Sequence, residues 1–241
     1  MDHTGRITFN DYRDYSADFA GAVDFTEGQD LSLDSPIDGP INADLVHKAV
    51  TELADGLDEQ IGSYARSDLH GNSPYRGFGA DCGNVHNLIA KFLIKHYPSL
   101  NPNFVMGGVD VNGRDEPKLF DLPQDRFLSW RKQKSGIGEH FNCHAWVSLG
   151  NDGWIIDATI STWILTREHD CEEFGPILYG PLPSLNHKRI NASVDRHKIN
   201  HFHFPSLDLQ YHPAVIGLQA LDAANTGLST HTLSAEGRRL D

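Results

Sequence analysis

Apolar residues recur with a helical period in some stretches of the chain and with a strand period in others. Leu45, Ala49, Val50, Leu53, Leu57 and Ile61 fall on one helical face, which predicts a helix beginning near Asn42 or Asp44. Val85, Leu88, Ile89, Phe92 and Leu93 have the same spacing and predict a second amphipathic helix that ends near Pro98. Asp81 stands at the N-cap of that helix, and Cys82 lies in its first turn. Residues 103–111 read as a strand with a glycine interruption. Residues 140–149 read as a strand, 150–153 (Gly-Asn-Asp-Gly) as a turn, and 154–160 as the returning strand. A short helix is predicted over 125–132. Another is predicted over 213–224, with Val215, Leu218 and Leu221 on one side. Residues 66–80 and 117–123 read as loops, and 1–40 as an irregular arm with at most a short strand. The tail from 225 onward is expected to fray. There is no internal repeat and no clear linker, so residues 1–241 read as one domain.

Composition narrows the function classes. A chain of 241 residues with 39% hydrophobic content can bury a core. No apolar run approaches the roughly 18–20 residues that cross a bilayer, so no membrane partner is expected. The first residues lack the basic-then-apolar pattern of a secretory signal, which leaves a cytoplasmic location as the expectation. A net charge of −13 disfavours a nucleic-acid partner, because backbone binding needs clustered Lys and Arg. The acid is concentrated: residues 1–44 hold ten Asp or Glu against two Arg. That stretch reads as a solvated arm or, given Phe9, Tyr12, Tyr15, Phe19 and Phe25 among the acids, as a lid. Oligomeric state is not readable from these features.

The three cysteines, Cys82, Cys143 and Cys171, form no disulfide framework, and one of them can be a nucleophile. Cys82 has the setting for it. A helix N-terminus favours the thiolate through its unpaired N–H groups and its dipole, and the same N–H groups can hold an oxyanion. Gly83 beside it permits close approach of a substrate backbone. In the hairpin, a turn centred on Asn151 and Asp152 pairs Leu149 with Trp154, Val147 with Ile156 and Trp146 with Asp157. His144 and Asp157 then share one face as diagonal neighbours, roughly 7–8 Å apart at the backbone. The carboxylate can take one ring N–H and leave the other nitrogen to deprotonate a thiol. A register slip of one residue would put the two on opposite faces.

The same residues admit other uses. His86, four residues after Cys82, is an alternative base. With Cys82, Cys143 and either His140 or His144 it could complete a zinc site, although adjacent strand residues such as Cys143 and His144 point to opposite faces. Cys143 is most simply a core residue, and Cys171 sits beside two glutamates that disfavour a thiolate. The basic, His-rich stretch 187–203 reads as a solvated face, or as a surface that docks the acidic arm. No cofactor and no metal is expected.

Taken together, Cys82, the stretch His144-Ala145-Trp146-Val147 and the stretch Gly153-Trp154-Ile155-Ile156-Asp157-Ala158-Thr159 resemble the transglutaminase-like branch of the papain-like cysteine enzymes. The resemblance covers about residues 75–162. It departs from the family at Gly83, where an aromatic residue often follows the cysteine, and at Ala158, where proline is usual. It implies an α+β fold, with a nucleophile-bearing helix packed on an antiparallel sheet. It also implies acyl transfer or amide hydrolysis through a thioester, with Cys82 as nucleophile, His144 as base and acid, and Asp157 as the orienting group. The Cys82 N–H would supply one oxyanion donor, and Tyr75 or Trp146 a second. The substrate would be an amide- or acyl-bearing molecule: a protein glutamine, a peptide or an amine acceptor. Arylamine N-acetyltransferases share the fold and the order of the triad, and Arg76-Gly77 resembles part of their pattern. A non-catalytic binding or scaffold protein built on such a core is the reading from a different class.

Overall fold

A computed structural model describes residues 15–64, 81–112, 118–120, 122–132, 143–150, 153–168, 175–182, 193–194 and 208–225. Its helices are α1 (Tyr15–Gly28), α2 (Ala43–Tyr64), α3 (Cys82–His96), α4 (Gln124–Lys132), α5 (Ile160–Glu168) and α6 (Leu218–Asn225). Its strands are β1 (Pro102–Asn112), β2 (Lys118–Phe120), β3 (His144–Leu149), β4 (Trp154–Asp157), β5 (Ile177–Pro181), β6 (Ser193–Val194) and β7 (Asp208–Ile216). The strands form one sheet in the order β2-β1-β3-β4-β5-β6, with β7 also paired to β1. Every pairing is antiparallel, so the fold is α+β.

Alternation along the strands sends side chains into two cores. Phe104, Met106, Ala145, Val147, Leu149, Ile156 and Val215 meet Val46, Val50 and Leu53 of α2 and Val85, Ile89 and Leu93 of α3. Their sequence neighbours Val105, Trp146, Ile155 and Ile216, together with Tyr211, meet Tyr15, Phe19 and Val23 of α1 and Ile160 and Ile164 of α5. The sheet is therefore covered on both faces. The hairpin register is the one expected: Val147 pairs with Ile156, and Leu149 with Trp154. Helix α2 begins where the pattern placed it, with the Asn42 side chain accepting the Leu45 N–H at 3.1 Å.

Four expectations are corrected. Residues 15–28, read as irregular, form α1. Its buried residues Tyr15, Phe19, Ala22, Val23 and Thr26 follow one helical face, but three of the five are small or polar. Residues 118–120, read as loop, pair with β1 as β2. Strand β4 stops at Asp157 rather than running to 160, because the Asp157 carboxylate accepts the Thr159 and Ile160 N–H groups and starts α5. Residues 213–216, read as helix, finish β7 instead. Val215 and Ile216 pair with Met106 and Val105, and the helix begins only after Gly217, which turns the chain at φ +98.

Pro213 is tolerated within β7 because it sits at a register shift against β1. Gly107 faces it across that shift. A Cβ there would come within 2.0 Å of the His212 carbonyl oxygen and 2.8 Å of the Trp146 ring, so the glycine interruption read in β1 is a steric requirement. Between α1 and α2 the chain is tied down by Asp34, whose carboxylate accepts the Phe104 N–H of β1 and the Leu218 N–H that opens α6, both at 2.8 Å.

Candidate active site

Three elements converge where β3 starts and β4 ends. Helix α3 brings the half-buried Cys82, β3 brings His144 and β4 brings Asp157, the last two fully enclosed. His144 Nε2 lies 2.6 Å from Asp157 Oδ2. With Nε2 committed to the carboxylate, Nδ1 is the ring atom left for the Cys82 thiol, which lies near enough to help raise the imidazole. The thiol also points at the Cys143 carbonyl, with Sγ 3.8 Å from the oxygen.

Asp157 is fully partnered. Its Oδ1 accepts the Thr159 and Ile160 N–H groups at 3.0 and 3.1 Å. Its Oδ2 accepts the Tyr211 hydroxyl at 2.9 Å beside the His144 ring. Burial alone would raise the carboxyl, but the charge and hydrogen bond of His144, then the nearby His86 and the Thr159 N–H, hold it well below the usual carboxylate range. For His144 the balance runs the other way. Burial alone would lower it, yet the Asp157 charge and hydrogen bond, followed by the Cys82 contact, raise it to about 10. The carboxylate thus favours the protonated form of the ring that faces the Cys82 side chain. Tyr211 is pushed well above its ordinary value, first by burial and then by the neighbouring carboxylate, so its hydroxyl remains a donor.

The imidazole is also held by aromatic rings. Phe120 of β2 stacks on it with centroids 5.3 Å apart, and Trp146 lies nearly parallel to it at 6.2 Å. Tyr211 meets Trp146 edge-on at 5.1 Å. Trp163 of α5 packs edge-on against Phe120.

The structure brings Cys82, His144 and Asp157 together, and it disposes of the other candidates variously. Trp146 is not brought to the thiol. Its indole N–H, the only donor on that side chain, is buried and donates to the Tyr15 hydroxyl at 3.1 Å, so an oxyanion role is corrected to a packing role. Gly83 faces α6: an added Cβ would come to 3.6 Å from Leu221, ordinary contact. Asp81 stands at the N-cap of α3 but makes no side-chain cap bond there. Its Oδ1 instead accepts the Asn84 side-chain amide at 2.7 Å. Cys143 is half-buried and its thiol is pushed up to about 12 by burial, in keeping with a core role. Tyr75, Arg76, Gly77, His140, Cys171, nearly all of 187–203 and the tail beyond 225 lie outside the described residues.

The chain was compared with protein-family models, with curated proteins and with solved structures. It matches none of them.

What can be read at this site therefore comes from its own geometry. Two of its residues carried a usable signal that sequence reasoning did not take up. His86 falls on the buried face of α3, with Val85, Ile89, Ala90 and Leu93, while Leu88 is 36% exposed and Phe92 only partly buried. The inward face is thus rotated from the most apolar one. Tyr211 alternates with Leu209 along β7, but this stretch was read together with the basic run before it. No described helix is long and apolar enough to cross a membrane.

Proposed function

We propose that this protein is a cysteine-dependent enzyme that transfers or hydrolyses acyl groups at amide or related bonds, in the manner of the transglutaminase-like enzymes its sequence resembles. The observation that carries this reading is the buried 2.6 Å contact between His144 Nε2 and Asp157 Oδ2 on a ring whose other side faces Cys82. In the reaction, Cys82 Sγ attacks the substrate carbonyl carbon as its proton is held by His144. The first N–H groups of α3 have no partner within the helix, and they receive the oxyanion. As the tetrahedral intermediate collapses, the C–N bond breaks, the leaving nitrogen takes the proton from His144, and a Cys82 thioester remains. Water or a second amine then gives a proton to His144 and attacks the thioester, which frees the acyl product and regenerates the thiol. Asp157 keeps the ring in one orientation and stabilises its charge throughout.

The experiment is alkylation of the folded protein with limiting iodoacetamide from about pH 5 to about pH 9, with the label mapped by mass spectrometry. The expected outcome is selective labelling of Cys82, already fast at neutral pH and slowed in both His144→Ala and Asp157→Ala. Labelling of Cys82 no faster than that of Cys143 and Cys171, and indifferent to both substitutions, would sink the triad and leave the scaffold reading.

A further inference from the structure

We propose that His86 is a positioning residue for this triad: a neutral imidazole that struts the helix carrying Cys82 against the strand end carrying Asp157. The proposal rests on the triad reading above and adds to it a group outside the triad. His86 is fully buried. Its Nδ1 lies 2.8 Å from the Cys82 carbonyl oxygen, and the Ala158 N–H points at its Nε2 from 3.0 Å. A carbonyl only accepts and a backbone N–H only donates, so the two partners assign the proton to Nδ1 and leave Nε2 a bare acceptor. The ring is thereby neutral in the arrangement seen.

Two consequences follow for the site. The first is mechanical. Cys82 belongs to α3 and Ala158 directly follows Asp157, so one rigid ring spans from the nucleophile's own residue to the neighbour of the orienting carboxylate. His86 and Cys82 move together on α3, so a shift of α3 along the sheet must break the Ala158 bond, and displacements near 1 Å are large on the scale of catalytic geometry.

The second consequence is electrical. Nε2 lies 3.5 Å from Asp157 Oδ1, the separation of an ion pair if the ring were charged. With Nε2 accepting from Ala158, His86 offers the carboxylate no N–H there, and the histidine hydrogen-bonded to Asp157 is His144, whose ring stands edge-on to His86 with centroids 6.0 Å apart. Among the described residues, the titratable groups that face His86 include Asp157 from β4, His144 from β3 and Cys82 from its own helix. Tyr211 of β7 shares the far oxygen of the carboxylate. An apolar residue of the same size would remove the acceptor that His86 Nε2 offers the Ala158 N–H.

The test measures the iodoacetamide rate of Cys82 against pH in the full chain for wild type, His144→Ala, His86→Gln and His86→Asn. A glutamine oxygen can occupy the place of Nε2 and keep the Ala158 bond, whereas asparagine reaches only the place of Nδ1. The expected result is a glutamine variant within about threefold of wild type and an asparagine variant slower by about tenfold or more at neutral pH. Equal rates in the two variants, whether both fast or both slow, would overturn the strut. Should wild type and His144→Ala prove equally slow, it is the triad that fails. The nitrogen-15 spectrum of the wild-type histidines gives a reading that needs no variant. A His86 ring protonated at Nδ1 alone at neutral pH supports the proposal, and an imidazolium or an Nε2–H ring overturns it.

Discussion

The two faces of the sheet are equally dry but are held together differently. Beneath α2 and α3 the sheet presents Phe104, Met106, Ala145, Val147, Leu149 and Ile156, whose side-chain contacts are apolar, with His86 to Ala158 and His47 to Tyr179 as polar contacts beside them. Beneath α1 it presents Trp146, Ser148 and Tyr211, joined to one another and to Tyr15 by ring contacts and hydrogen bonds. Apolar packing is non-directional and scales with area, so the first face asks only for volume and pattern. A buried polar network demands a partner for every donor and acceptor, so each of its members is fixed in place. His144 belongs to the second face, and its imidazole inherits that rigidity.

Residues 156 and 157 set the comparison at adjacent positions on opposite faces. Asp157→Asn puts an amide among two N–H donors, a phenol and an imidazolium, and removes the charge that compensates the buried ring. Breaking a buried pair of this kind is expected to cost about 3–5 kcal/mol. Ile156→Val removes one methylene from the apolar face and is expected to cost about 0.5–1.5 kcal/mol. Urea unfolding measures both. Comparable losses would mean that the polar network contributes no more than packing does.

The apolar face was the more readable in the sequence. Alternation at 145–149 and 154–157 gave the hairpin and its register, and with them the meeting of His144 and Asp157, because the pattern has period two and one slip would invert it. What escaped was whatever depends on partners distant in the chain. Helix α1 buries Ala22, Val23 and Thr26 as well as two rings, so its apolar stripe is narrow, and only docking on β7 makes it a helix worth forming. Tyr211 reaches Asp157 across 54 residues, so its local alternation shows that it is buried but not what it touches. His86 was visible as a residue but not as an inward-facing one, since Leu88 and Phe92 made a more apolar stripe than the face that is buried. The triad's three members were legible. The residues that hold them were not, because a positioning role is defined by what a side chain touches.

Protonation offers a way to weaken one network without changing its shape. His144 is raised to about 10 in the folded chain, against about 6.5 when unfolded, so its contribution to stability is complete below about 6.5 and is lost as pH rises towards about 10. Asp157, held low, contributes above about 3.9 and loses that contribution only in acid. Wild-type stability minus that of His144→Gln should therefore fall between about pH 6.5 and pH 10, with a slope no steeper than about 1.4 kcal/mol per pH unit. Chemical denaturation at a series of pH values measures it. A flat difference across that window would mean that the ring is not charged in the folded chain.

The network can also be tested at its α1 end, at Tyr15. Its hydroxyl accepts the Trp146 indole N–H at 3.1 Å and donates to Ser148 Oγ at 3.3 Å, and burial, set against those bonds, pushes the phenol up to about 12. Tyr15→Phe keeps the ring and its packing on Phe19 but leaves the indole N–H buried without an acceptor, at a cost of about 1–3 kcal/mol. Trp146→Phe removes that donor by itself. If the two side chains act as a pair, the doubly substituted chain is more stable than the sum of the single losses predicts, by about 0.5–3 kcal/mol in a double-mutant cycle. Strict additivity would reduce the α1 face to the kind of packing found beneath α2 and α3. Coupling would show that the polar bonds on this face reach from the first described helix to the strand that carries His144.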